Sequence, residues 1–327
     1  MIKEVRDIIE AIRKNESFVI STHVNPEGDA IGSEVGLALA LIKMGKKVSI
    51  LNTDPVPEFL KFMPGSELVT VVKTIDTPHD ALIVVDCEPA RTGLQDLDKA
   101  PVGRVINIDH HVTNPKVADI NWVDPDACAA GEMVYDLLVA MEAPIDTAIA
   151  TNLYTAIFTD TGSFRYSNTD EPALSKAGRL LQYGVNPWEI TENVYEAKSF
   201  GRMKLLGLVL AGLDISSDGR LSWVTIMEEY YKGTGTSAED TDGFINYPRA
   251  VKGVEVGLLF REAGSDLVKV SFRSKGRVDV SRLAESLGGG GHPNAAGANI
   301  KGSMGDVKAK VIPAVEALLK KALDGPA

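Results

Sequence analysis

Ile106-Asn107-Ile108-Asp109-His110-His111 decides how this chain is read, because an apolar strand runs straight into an acid and two imidazoles. Strands buried on both faces of an α/β sheet are near-continuous apolar runs, and ligands in open sheets collect outside their carboxyl ends. The hexapeptide therefore puts candidate metal chemistry at a sheet edge. Two other runs end the same way. Phe18 to Ser21 empties into Thr22-His23-Val24-Asn25-Pro26-Glu27-Gly28-Asp29, and Ala81-Leu82-Ile83-Val84-Val85 is followed at once by Asp86. A carboxylate at the end of a buried strand has to find charge partners, so three such endings point to a shared site.

Around these strands the apolar spacing is helical. Ile2, Val5, Ile8, Ile9 and Ile12 predict a first helix, and Ile31 to Met44 predicts another, stopped by Gly45. Val48 to Leu51 reads as a further strand, and helices are predicted over Ala129 to Ala140, Asp146 to Thr159 and Glu171 to Tyr183. A fourth acid, Asp160, follows the second of these in Thr159-Asp160-Thr161-Gly162. Strands alternating with helices of this length imply a doubly wound, mostly parallel α/β sheet. Beyond Leu213 the texture changes to short β-rich runs, as expected of a second, smaller α+β domain. The predicted organisation is a first domain over 1–190 that carries the candidate metal ligands, a helical linker over 191–213 and a second domain over 214–327.

The totals agree with two domains, since 327 residues exceed the size at which one hydrophobic core stops growing. A net charge of -11 argues against a protein that tracks long duplex nucleic acid through many Lys and Arg contacts, but it allows a small anionic substrate. Only two cysteines are present, Cys87 and Cys128. With no charged-then-apolar leader and no apolar run near the roughly 18 residues of a membrane span, the expected setting is the cytoplasm, without membrane association and with both thiols reduced.

His23, Glu27, Asp29, Asp86, His110 and Asp160 are the candidate metal ligands, with Asp109 and His111 beside them. Mixed imidazole and carboxylate donors suit a pair of divalent ions such as Mn²⁺, with Mg²⁺ allowed, better than a structural zinc. Two such ions about 3.5 to 4 Å apart activate water and neutralise the charge that grows on a phosphoryl group. One carboxylate has to bridge them, and Asp86 is the expected bridge. Gly288 to Gly291, followed by His292, reads either as a flexible linker or as backbone that approaches an anion closely. Six basic residues against four acidic ones between Arg261 and Asn299 reverse the local charge. A solvated face gives the same balance, but Arg273 at a strand end is placed to fork onto a phosphate.

Together these motifs resemble the DHH phosphoesterase family with its C-terminal DHHA1 domain. The resemblance lies in His23 to Ser33, Asp86, Asp109-His110-His111, Thr159-Asp160-Thr161-Gly162, and Gly288 to His292 with Ala295-Ala296-Gly297. It implies a catalytic first domain and a substrate-binding second one, with one ion held by His23, Glu27 and Asp86 and another by Asp29, Asp86, His110 and Asp160. His111 would face the scissile phosphate and Asp109 would orient its neighbours, with Arg273, Gly290, Gly291 and His292 contacting substrate. It also implies hydrolysis of very short oligonucleotides and of the 3'-phosphate of adenosine 3',5'-bisphosphate. A linear or cyclic dinucleotide phosphodiesterase would use the same ligands, and a non-catalytic nucleotide-binding relative would lack the ions. Partners would be short oligonucleotides or nucleoside bisphosphates, with a homodimer allowed. The chain departs from the family at Glu27, where Asp is usual, and the longer side chain has to fold back to reach an ion.

Overall fold

The computed structural model describes residues 2–264 and 266–324, which divide into two compact units, Met1–Ala197 and Lys198–Ala327. The first is built on β1 (Ser17–Ser21), β2 (Lys47–Asn52), β3 (Val69–Val71), β4 (Ala81–Val85), β5 (Val105–Asp109) and β6 (Ile120–Val123), in the order β3-β2-β1-β4-β5-β6. Every pairing is parallel. The expected doubly wound parallel sheet is what forms, and its topological switch lies between β1 and β4, where such sheets bind ligands. Strand alternation sorts the core. Phe18, Ile20, Ile83, Val85, Ile106 and Ile108 face a cluster containing α1 (Lys3–Lys14), α2 (Gly28–Lys43), α3 (Ala130–Ala140), α4 (Thr147–Asp160) and α5 (Glu171–Leu181). Val19, Leu82 and Val84 pack on the opposite face with Ile75 and Leu94 from connecting segments.

Helix α2 starts at Gly28, three residues earlier than the apolar spacing predicts, so Asp29 lies in its first turn, where the helix dipole favours an acid. It packs so closely on α4 that a Cβ at Gly32 would sit 2.5 Å from the Asn152 carbonyl oxygen. This glycine brings the helix that carries Asp29 in its first turn against the helix that ends with Asp160. Asp146 caps α4 by accepting the Ile149 amide at 3.1 Å. After α6 (Pro187–Thr191) a π-helical turn over Glu192–Glu196 closes the unit.

In the second unit β7 (Asp214–Ile215), β8 (Leu221–Ile226), β9 (Val256–Glu262), β10 (Leu267–Ser274), β11 (Gly290–His292) and β12 (Ala295–Lys301) form a mixed sheet of order β11-β12-β10-β9-β8-β7. Only β8 and β9 are parallel. α10 (Ser281–Ser286) and α11 (Met304–Asp324) join one core, the latter through the i, i+4 row Val307, Val311, Val315 and Leu319. α7 (Phe200–Ala211), inside the stretch read as a linker, belongs to this unit. Its Leu205 and Val209 share a cluster with Val224, Ile226 and Leu259. Helices α8 (Glu228–Thr234) and α9 (Asn246–Ala250) complete the chain. Among the described residues no helix is long and apolar enough to cross a membrane.

Candidate metal centre

The carboxyl ends of β1, β4 and β5 deliver His23, Asp86 and Asp109-His110-His111 to one place, and the first turn of α2 and last residue of α4 add Asp29 and Asp160. Three groups have donor atoms within 4.8 Å of one another: His23 with Glu27 and Asp86, Asp29 with His110 and Asp160, and Asp86 with His110 and His111. Seven of the eight residues expected at the site in this unit are therefore gathered, and Asp109 joins them through its hydrogen bond to His111.

Asp86 is the centre. It is 1% exposed, and neither carboxylate oxygen has a hydrogen-bond partner among the described residues. A buried, unpartnered carboxylate is costly. Nearest to it are two imidazoles, His23 Nε2 at 3.5 Å from Oδ2 and His110 Nε2 at 3.3 Å from Oδ1. Both separations exceed those of charge-assisted hydrogen bonds, so the attraction is electrostatic. Burial alone would raise the Asp86 pKa, but His110 and His23 hold it well below the usual carboxylate range. Its backbone is left-handed, with φ 61°, a conformation that Asp and Asn tolerate better than other side chains.

Each imidazole is held with Nε2 turned inward. His23 Nδ1 donates to the Val24 carbonyl at 2.8 Å, and His110 Nδ1 donates to that of Ala127 at 3.1 Å. This is the usual way proteins orient a ligating histidine. His23 Nε2 also lies 3.1 Å from Glu27 Oε1, so the longer acid does fold back toward the site. Burial would lower both histidine pKa values, but the carboxylates, Asp86 foremost, raise each to about 10. Two imidazoliums thus balance the acids when no cation is bound. Asp160 is pushed up to about 6, chiefly by burial, and Asp29 is raised by burial and by the Asp86 charge. Unpartnered oxygens, inward imidazole nitrogens and crowded acids fit divalent cations.

Asp109 and His111 form a separate pair. His111 Nδ1 donates to Asp109 Oδ1 at 2.7 Å, and this bond raises the imidazole pKa. The other Asp109 oxygen accepts from Asn114, whose amide also donates to Asn107 Oδ1 at 2.8 Å. Asn107 in turn donates to the Cys87 carbonyl at 2.7 Å. Sequence reasoning missed this support, though a polar Asn107 between two buried isoleucines was its visible trace. It also missed Glu34 and Asn52, a buried pair joined at 2.7 Å, with Asn52 Oδ1 accepting the Thr22 amide just before His23 at 3.3 Å. Cys87 and Cys128 are buried and unpaired.

Arg273, Gly290, Gly291 and His292 all lie in the second unit. Ala295 of β12 pairs with Arg273 of β10 and with His292 of β11, so both side chains stand in one row on the same sheet face, about 10 Å apart by strand spacing. The glycine run is no linker, because its end forms β11. Gly291 has φ 143°, and a Cβ there would meet the Ala295 carbonyl oxygen at 2.5 Å, so the hairpin itself requires this glycine. Gly290 has open space on that side.

A parallel sheet that gathers acids and inward-facing imidazoles at its switch point defines a metal-dependent hydrolase of the α/β class. Residues 17–157 match the DHH family, N-terminal domain, and residues 223–322 match the DHHA1 domain. The chain is 38% identical to a bifunctional oligoribonuclease and PAP phosphatase of Thermus thermophilus, over 98% of this chain and 96% of that protein. A Bacillus subtilis protein of the same description is 30% identical, over 90% and 92%. An exopolyphosphatase-related protein of Bacteroides fragilis has the same fold, with a TM-score of 0.88 at 28% identity, over 98% of this chain and 96% of the other. The chain belongs to the DHH family and is a phosphoesterase.

Proposed function

We propose that the protein uses two divalent cations, Mn²⁺ foremost, to hydrolyse very short oligonucleotides and to remove the 3'-phosphate of adenosine 3',5'-bisphosphate. One observation carries the two-ion reading: Asp86, buried with both oxygens unpartnered, faces His23 with one oxygen and His110 with the other. His23, Glu27 and Asp86 would hold one ion, and Asp29, Asp86, His110 and Asp160 the other. Bound there, the cations supply Lewis acidity for water and for the phosphoryl oxygens. The substrate classes rest on the oligoribonuclease and PAP phosphatase relatives.

The chain's own residues do the rest. Asp109 accepts the Nδ1 proton of His111 and favours the imidazolium, which leaves the Nε2 proton available to the leaving oxygen. Arg273 and His292, in one row of the second sheet, would hold a further phosphate, with Gly290 allowing close approach of backbone. A net charge of -11 repels each added phosphate of a long strand, so short substrates are favoured. The test is hydrolysis at fixed Mn²⁺ of a 2-mer, a 24-mer and adenosine 3',5'-bisphosphate. The 2-mer and the bisphosphate should be cleaved faster, and equal or faster cleavage of the 24-mer would contradict the reading.

A further inference from the structure

One five-residue stretch of backbone, 127–131, touches His110 and Asp29 directly and is linked to Asp160 through one side chain. The Ala127 carbonyl holds His110 Nδ1 at 3.1 Å. The Ala130 and Gly131 amides, at the start of α3, donate to Asp29 Oδ2 at 2.7 Å and Oδ1 at 2.9 Å. Asp160 is reached through Asn168, whose Nδ2 donates to the Cys128 carbonyl at 3.0 Å and contacts the Asp160 carbonyl and Oδ2, both at 3.2 Å. Three oxygens face this nitrogen, which fixes the amide orientation, and Asn168 Oδ1 is buried without a partner. A side chain at 127–131 cannot do this work, because the contacts are made by backbone groups whose positions depend on what clamps the stretch.

The clamp has two sides. Glu132 Oε2 accepts the Cys128 amide at 2.7 Å, while Lys176 Nζ lies 2.6 Å from Glu132 Oε1 and 2.6 Å from Asp136 Oδ2. Asn168 holds the Cys128 carbonyl from the other side and reaches on to Asp160. Among the described residues no hydrogen bond joins His23, Glu27 or Asp86 to this backbone; His23 is held by the Val24 carbonyl instead.

We propose that Asn168 is a positioning residue that sets the cation affinity of the Asp29, His110 and Asp160 site selectively, by tying Asp160 to the backbone that orients the other two ligands. This rests on the two-cation reading above. Outer-shell hydrogen bonds of this kind typically carry about 10 to 100-fold in metal affinity.

The test is calorimetric titration of the metal-free full chain with Mn²⁺ alone, comparing wild type, Asn168→Ala and Asn168→Leu, the second variant keeping bulk at the position. Asn193→Ala serves as control, since that exposed amide donates to the Glu189 carbonyl of the preceding helical turn, 2.8 Å away. One of two Mn²⁺ sites should weaken by tenfold or more in both Asn168 variants while the other stays within about twofold, with kcat restored at saturating Mn²⁺. Unchanged affinities, or equal weakening of both sites, would overturn the proposal. A wild-type chain that binds a single Mn²⁺ would contradict the two-cation reading, and in that case unchanged affinity in the Asn168 variants would overturn the Asn168 role as well.

Discussion

His111 Nδ1 lies 2.7 Å from Asp109 Oδ1, and the same carboxylate oxygen also accepts the His111 backbone amide at 3.2 Å. The acid therefore fixes both the ring and the chain of the residue that follows it by two positions. Because the bond stabilises the imidazolium, Asp109→Asn should lower the His111 pKa and move the alkaline limb of the kcat profile down by about one pH unit or more. A pH–rate profile at saturating Mn²⁺ checks this. An unmoved limb would remove His111 as the proton donor.

Cation binding should release protons. His23 and His110 are raised to about 10, so both are imidazolium at neutral pH until a cation takes the Nε2 position. Mn²⁺ affinity should rise steadily between pH 6.5 and 8.5, and calorimetry in buffers of different ionisation enthalpy should report proton release. A flat affinity over that range would mean that these nitrogens are not ligands.

Glu34 offers a stability test outside the ligand set. Burial raises its carboxyl from 4.5 to about 8, and one of its oxygens has no partner. The folded value lies above the unfolded one, so the native state binds the extra proton between these limits, and this stabilisation is present at low pH and lost as pH rises through about 8. Glu34→Gln keeps the contact with Asn52 and removes the titration. In metal-free protein the variant should be more stable than wild type at pH 8.5 by up to a few kcal/mol and nearly equal at pH 4.5. Urea unfolding at the two pH values decides, and a constant difference would refute the assignment.

Arg273→Ala should raise KM for a dinucleotide by about tenfold or more and leave Mn²⁺ affinity unchanged, since it removes a charged phosphate donor and no ligand. Steady-state kinetics paired with Mn²⁺ titration tests this. A loss confined to kcat would speak against a clamp.

Much of the centre was legible because it is written along strands. Continuous apolar runs mark parallel β1, β4 and β5, and the ionisable residue after each falls at the sheet edge. What stayed hidden depends on tertiary contact. Asn114, Asn168 and the Glu34 and Asn52 pair act through hydrogen bonds between segments that no local spacing connects. Strand β12 was missed for another reason. Ala295-Ala296-Gly297-Ala298 has weak strand propensity, yet it pairs with β10 on one side and β11 on the other and buries Ala296, Ala298 and Ile300 in alternation. The early start of α2 was obscured because Gly28 and Asp29 look like loop residues.

Asp86 bears most directly on the whole account, and Asp86→Asn is the variant to measure, since Asn keeps the side-chain shape and tolerates the left-handed backbone at φ 61°. Mn²⁺ bound per chain and hydrolysis of adenosine 3',5'-bisphosphate should be determined on the same preparation, with circular dichroism confirming the fold. The account predicts that the variant folds, no longer binds two Mn²⁺ ions and shows no measurable hydrolysis. Near-normal turnover with two ions still bound would contradict it.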